Sequence, residues 1–158
     1  MPDMLVKLYE LPDEIPELEK MKDLNIRILR ALPPDKFRVL EFIEKTFNKG
    51  WASECDVSFS NKPVSCYIAV KDKKVIGFAC YNATAPDFFG PTGVDEKFRK
   101  LGIGRVLLLK CLLAMKALGY GYAIIGGAAV PEFYTKACGA TVIDGSYPGI
   151  YGSMVEGE

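Results

Sequence analysis

Histidine is absent from the sequence. Imidazole is the usual base near neutral pH and a common zinc ligand, so its absence excludes histidine-based catalytic triads, histidine metal sites and histidine general bases. Proton transfer must then use carboxylates, tyrosine, cysteine, lysine or water. The five cysteines indicate neither a disulfide framework nor a zinc site, because they are an odd number without a CxxC pair. We therefore predict free thiols and no bound metal.

The sequence also lacks an excess of either charge and lacks long apolar runs. Lysine plus arginine number 20, as do aspartate plus glutamate, so no overall field favours nucleic acid or an anionic membrane. The longest apolar stretches are too short or too charged to span a bilayer, and no signal peptide is visible. We predict a cytoplasmic protein without nucleic-acid or membrane partners.

The 158 residues suit one domain, 1–158, because neither repeats nor a long linker divide them. Alternation and helical spacing predict a mixed α/β order of elements. The first part contains strands in "LVKLYEL" and "NIRILRAL", a helix in "PPDKFRVLEFIEKTF", and a hairpin formed by "SCYIAV" and "KVIGFACYNA". Between this helix and the hairpin, "NKGWASECDVSFSNKP" is predicted to be a loop.

The second part of the chain predicts a β–α–β unit followed by two short elements. Its segments are a strand in "FFGPTGV", a helix beginning after Gly102, a strand in "YAIIGGA", a short helix in "PEFYTKA", and a strand pair in "TVIDG" and "IYGSMV". An antiparallel hairpin thus leads into a crossover helix.

The stretch "EKFRKLGIGRVLLLK", residues 96–110, places Gly102 and Gly104 where this crossover helix begins. The first turn of a helix has unpaired N–H groups and partial positive charge, and glycine lets an anion approach them closely. Arg99 and Lys100 add formal charge, so the stretch predicts a phosphate site. Alternatively, the glycines only permit a tight turn, and the cations form a solvent-exposed face.

Two common phosphate motifs do not fit this stretch. Arg105 and Val106 follow Gly104 where a Walker loop has Lys and Ser or Thr, and Leu107 occupies the position of the third glycine of a dinucleotide fingerprint. The pattern Arg-x-x-Gly-x-Gly, after a strand that ends at Val94, instead resembles the pyrophosphate loop of the GNAT superfamily of N-acetyltransferases. The runs "GVDEKFRKLGIGRVLLLKCLLAMKALGY" and "PEFYTKACGA" are similar to that family as well, and the resemblance covers roughly residues 65–142.

The resemblance implies a splayed, mostly antiparallel sheet of six to seven strands flanked by about four helices, with acetyl-CoA as the acyl donor. Its pantetheine arm would lie between "FFGPTGV" and "YAIIGGA", where Gly90 and Pro91 suit a strand that has lost a neighbour. The cofactor-binding residues it implies are Thr92, Val94, Arg99, Lys100, Leu101, Gly102, Ile103, Gly104 and Arg105.

The same resemblance implies that Tyr134 is the catalytic acid that protonates the leaving thiolate; alternatively it is only a core aromatic. The implied reaction is direct attack of a primary amine, on a small molecule or peptide, on the thioester in a ternary complex. A homodimer is possible. The alternative is a catalytically silent acyl-CoA-binding sensor or interaction module. Three positions depart from the family pattern, namely Gly127, Val130 and Ala140.

The sequence identifies no general base: Asp87, Glu54 and Asp56 are candidates, each of which can equally be solvated surface. An acceptor site is expected from the early helices and the last strand pair. Its candidate aromatic residues are Trp51, Phe59, Phe88, Phe89, Tyr147 and Tyr151. The segment "SYPGIYGS" predicts either a lid over the substrate or an ordinary hairpin.

Overall fold

The computed structural model describes residues 1–156, which contain one seven-stranded sheet. Its strands are β1 (Met4–Lys7), β2 (Arg27–Arg30), β3 (Cys66–Lys71), β4 (Lys74–Tyr81), β5 (Phe88–Val94), β6 (Tyr122–Ile125) and β7 (Thr141–Val142). They lie in the order β2-β3-β4-β5-β6-β1-β7, and β5 with β6 is the parallel pair in an otherwise antiparallel sheet. The predicted mixed, mostly antiparallel fold is confirmed.

Five α-helices flank the sheet in the described chain. They are α1 (Glu17–Asp23), α2 (Lys36–Thr46), α3 (Lys49–Ser58), α4 (Ile103–Ala117) and α5 (Pro131–Cys138). Of these, α1 lies in an acidic segment for which the sequence analysis gave no helix. Within residues 1–156, no helix has both the length and the apolar character needed to cross a bilayer.

The loop prediction for "NKGWASECDVSFSNKP" was wrong, because most of this segment forms α3. The Asn48 side chain caps the helix by accepting a hydrogen bond of 2.8 Å from the backbone N–H of Trp51. Ala52, Cys55 and Ser58 recur every three residues and are buried. Packing of this face stabilises a helix whose glycine, serine and asparagine content suggested a loop.

The predicted C-terminal strand pair was also wrong. Thr141–Val142 pairs with β1, but the partner segment forms a 3₁₀ helix over Gly149–Ser153. Pro148 lacks an N–H group for a strand ladder, and Gly149 has a φ of +59°. These two residues turn the chain back over the end of β6 instead of extending it.

The helices cover both faces of the sheet, because successive β4 side chains alternate between faces. Phe78 and Cys80 pack in the cluster that contains the buried residues of α2 and α3, whereas Ala79 and Tyr81 pack in the cluster that contains those of α4. The sheet is therefore enclosed in its middle. One opening lies at the end of the β5–β6 pair.

Candidate cofactor and acceptor site

Strands β5 and β6 separate soon after they meet. Their parallel pairing covers only Phe88 with Ile124 and Phe89 with Ile125, after which β6 ends and β5 continues to Val94. Pro91 lies in this part of β5 and at an irregularity of the β4–β5 pairing between Ala79 and Tyr81, where a residue without an N–H group is tolerated. The divergence of the strands leaves a V-shaped opening at their carboxyl ends.

A cavity of about 490 Å³ lies at this opening. Its walls come from the separated strands, from α3, from α5 and from both terminal segments. The lining residues are Met1, Asn48, Gly50, Trp51, Glu54, Phe89, Gly90, Pro91, Thr92, Ile125, Gly126, Gly127, Ala129, Tyr134, Tyr147, Pro148, Tyr151 and Met154. The lining thus combines residues of the two strands with residues of α3 and of the C-terminal segment.

Two backbone N–H groups of β5 point into the V-shaped opening. The N–H of Asp95 donates to the carbonyl of Ile76 at 2.8 Å and therefore faces β4. Because N–H groups alternate in direction along a strand, those of Thr92 and Val94 face away from β4. They are placed to donate to a polar group between the separated strands.

The first turn of α4 continues this row of donors. Gly102 is the N-cap with a φ of +93° and gives no side-chain cap. Within the described chain, no protein acceptor binds the N–H groups of residues 101–105. A Cβ at Gly104 would lie 3.8 Å from Phe133 and 4.0 Å from Val94, so the glycine borders both β5 and α5. The turn thus exposes unpaired donors beside the V-shaped opening.

The three predicted cations around this turn differ in their surroundings. Arg105 donates to the Glu17 carboxylate of α1 at 2.6 and 2.7 Å, and both side chains are 28% exposed. Arg99 and Lys100 are exposed, and neither has a carboxylate partner within residues 1–156. The Arg99 Nε donates to the carbonyl of Val94 at 3.2 Å. The uncompensated charge is therefore that of Arg99 and Lys100.

Tyr134 lines the cavity from α5. Its ring meets Phe89 edge-on at 6.4 Å and Phe133 at 5.1 Å between centroids. Burial, with a smaller contribution from Cys138, raises the pKa of Tyr134 to about 12. Its hydroxyl has no hydrogen-bond partner in the described part of the chain. The phenol is therefore neutral over the physiological range and free to donate a hydrogen bond into the cavity.

Of the three candidate base carboxylates, Glu54 lines the cavity. The Thr84 hydroxyl donates to its Oε2, which fixes the carboxylate. Asp56 instead pairs with Lys36 at 2.7 Å. Asp87 lies outside the cavity, and burial raises the pKa of its carboxyl, whose Oδ1 has no partner in the described residues.

Four of the six aromatic candidates line the cavity, namely Trp51, Phe89, Tyr147 and Tyr151. Phe59 packs in the α2–α3 cluster, and Phe88 packs against Gly126. The pKa of Tyr151 is raised by burial first and by the charge of Glu54 next, consistent with their position at the same end of the cavity.

Asp3 is an organising residue that the sequence analysis missed. Its Oδ1 accepts from the N–H of Gly127 at 2.8 Å, and its own N–H donates to the Ser146 Oγ at 2.8 Å. It thereby joins the segment after β6 to the C-terminal segment. No local signal in the sequence points to it, because its partners lie 124 and 143 residues away.

Comparison with known proteins identifies the same architecture. The model of the acetyltransferase (GNAT) family matches residues 20–140. No curated protein gives a significant match. The chain is similar to the GCN5-related glucosamine N-acetyltransferase region of a fungal multi-domain GH3 β-N-acetylglucosaminidase, with a TM-score of 0.73 and 14% identity over 90% of this chain and 19% of that one.

Two further structures have the same fold. A GCN5-related N-acetyltransferase from Sphaerobacter thermophilus has a TM-score of 0.68 and 21% identity over 90% of this chain and 48% of that one. A GNAT family acetyltransferase from Brucella melitensis, solved with acetyl-CoA, has a TM-score of 0.56 and 18% identity over 70% of this chain and 80% of that one. The chain thus spans about a fifth of the first relative's length and about half of the second's.

Proposed function

Because the chain belongs to the acetyltransferase (GNAT) family, we propose that it transfers an acetyl group from acetyl-CoA to the primary amine of a small molecule. The observation that carries this proposal is the cavity at the V-shaped opening. A neutral buried tyrosine, a fixed carboxylate and a bordering row of unpaired N–H groups meet there.

The residues present fit acetyl-CoA. The uncovered first turn of α4, residues 101–105, is suited to its diphosphate, with Arg99 and Lys100 beside it. Arg105 contributes through its backbone N–H, because its side chain is held by Glu17. The N–H groups of Thr92 and Val94 are placed for the amide groups of the pantetheine arm and for the thioester carbonyl. Of the nine residues that the resemblance implies, Thr92 lines the cavity, and the proposal assigns the others to the pantetheine arm and the diphosphate.

Acetyl-CoA supplies a thioester carbon that the amine attacks directly, with a thiol as the leaving group. An alkylammonium has an ordinary pKa of about 10.4, so the amine must lose a proton before it attacks. Glu54 accepts that proton, directly or through water. The Tyr134 hydroxyl donates to the departing sulfur, and the phenol's raised pKa keeps it protonated until then.

The size of the cavity favours a small acceptor over a folded protein surface. About 490 Å³ lies within the range of small-molecule sites, and this volume must also contain the acetyl end of the donor. The solved relative described as a glucosamine N-acetyltransferase region has the same fold. At 14% identity this likeness does not select the acceptor of the present chain.

A thiol-release assay with acetyl-CoA and a panel of primary amines tests the proposal. We expect amine-dependent release of CoA and an acetylated product by mass spectrometry. Calorimetry with acetyl-CoA and with ATP, run in parallel, should show binding of acetyl-CoA alone. Acetyl-CoA binding without amine-stimulated release would contradict the enzymatic proposal and favour an acyl-CoA-binding sensor.

A further inference from the structure

The ionic side chains that line the cavity are of one sign, which is negative. Within residues 1–156, the cavity is lined by one ionic side chain, that of Glu54, and by no lysine or arginine. From this lining we propose that the acceptor is a primary amine that carries no carboxylate or phosphate and is joined to an uncharged ring. This inference rests on the proposed function and specifies its substrate class.

Glu54 supplies the attraction for the amine. Its side chain is half-buried on α3, and one oxygen accepts from Thr84. The other oxygen has no protein donor in the described chain, which leaves it for an ammonium group. Hydrogen bonds between a carboxylate and an ammonium are among the stronger ones in proteins, so this oxygen is a specific docking point for the amine.

An anionic group on the acceptor would meet no lysine or arginine side chain among the residues that line the cavity. Of the lysines that begin α2 and α3, Lys36 pairs with Asp56, and Lys49 is exposed and lies outside the lining. Arg99 and Lys100 lie at the diphosphate end. A carboxylate or phosphate placed in the cavity would lose water without a lysine or arginine partner in the lining and would be repelled by Glu54. The lining therefore selects against amino acids and sugar phosphates.

The aromatic side chains supply the surface for the rest of the acceptor. Trp51 packs against Phe47 at 5.2 Å and Phe78 at 6.2 Å between centroids, which anchors its indole in the core. Tyr147 and Tyr151 contact no other ring within residues 1–156. Aromatic faces bind the apolar face of a ring and also stabilise a nearby ammonium. An arylalkylamine or an unphosphorylated amino sugar has both features.

Matched pairs of amines test the inference on the full chain. Tyramine is compared with tyrosine, and glucosamine with glucosamine 6-phosphate, by the kcat/KM of CoA release. The member without the anionic group should be used at least tenfold better in any pair that is turned over. Equal or better use of the anionic member would overturn this inference and leave the proposed function intact. No amine-stimulated release from any of the four would overturn both.

A charge variant separates electrostatics from size. Met154 lines the cavity and is 68% exposed, whereas the adjacent Val155 is 94% exposed and lies outside the lining. Met154→Lys should raise the use of the anionic member relative to its partner at least threefold. The matched Val155→Lys variant, which has the same net charge, should leave the ratio unchanged. An unchanged ratio in Met154→Lys would show that charge does not set the preference and would overturn the inference.

Discussion

Substitution of Gly104 should change CoA affinity and protein stability in opposite directions. A Cβ there would make only ordinary contacts, at 3.8 and 4.0 Å, in the free protein. Replacing glycine inside a helix contributes up to about 1 kcal/mol, and a carboxylate in the first turn adds about 0.3–1 kcal/mol. Gly104→Glu should therefore raise the free energy of unfolding by about 1 kcal/mol, or about 2–4 °C in Tm.

The same substitution should weaken acetyl-CoA binding. A carboxylate about 6 Å from one phosphate charge is repelled by about 3 kcal/mol at an effective dielectric constant of about 20, and salt reduces this value. We expect a loss of at least tenfold in affinity for Gly104→Glu relative to the uncharged Gly104→Gln, by calorimetry at low salt. The difference should shrink as salt is added.

Two controls make the Gly104 test decisive. Gly104→Ala adds only the Cβ and should bind acetyl-CoA with nearly unchanged affinity. This variant measures the effect of losing the glycine without the effect of a large or charged side chain. Thermal unfolding of each variant without ligand shows whether the protein remains folded. A Gly104→Glu variant that is folded and binds acetyl-CoA within threefold of the parent chain would refute the placement of the diphosphate at this turn.

Three further predictions concern Tyr134, Glu54 and Asp3. Tyr134→Phe should lower kcat by about 10²-fold or more in steady-state assays and leave the calorimetric Kd for acetyl-CoA unchanged. Because burial raises the pKa of Tyr134 to about 12, its ionisation favours the unfolded chain above pH 10. Between pH 10 and 12 the free energy of unfolding should therefore fall faster for the parent chain than for Tyr134→Phe. Equal slopes of this free energy against pH, measured by urea unfolding, would disprove the prediction. Glu54→Gln should lower kcat/KM at least tenfold at neutral pH and less at high pH, where the amine is already neutral. Asp56→Asn is its matched control and should show no such loss. Asp3→Ala leaves the N–H of Gly127 without its acceptor and should cost about 1–3 kcal/mol in urea unfolding, and an unchanged midpoint would contradict this role.

The donor half of the proposed site could be proposed from sequence because the features on which it depends are local. Gly102 has a positive φ at the N-cap of α4, and Gly104 lies two residues later in the same turn. Pro91 marks the unpaired stretch of β5 through its own covalent structure. Such requirements restrict the residue types at fixed spacing, so the pattern remains visible in a single sequence.

The acceptor half could not be predicted because its determinants are distant in the chain. The Glu54 carboxylate becomes a distinct candidate only when α3 brings it beside Thr84, which lies 30 residues later. Asp56, two residues further along the same helix, is an equally plausible base by type, yet it lies in a salt bridge with Lys36. The prediction of a loop in place of α3 removed the helical spacing that separates these two side chains.

The proposed site contains an acid and a base for acetyl transfer, although the chain has no histidine. In the proposed mechanism Tyr134, which is partly buried beside Phe89 and Phe133, acts as the acid because its raised pKa keeps the proton in place. In the same proposal Glu54 accepts the proton, because Thr84 fixes its carboxylate and the carboxylate is reachable from the cavity. Neither group is an imidazole, and the phenol keeps its proton through the neutral range. The ionisation of the amine itself should therefore dominate the pH dependence, with kcat/KM rising toward alkaline pH, and a bell-shaped profile centred near pH 7 would contradict this assignment of roles.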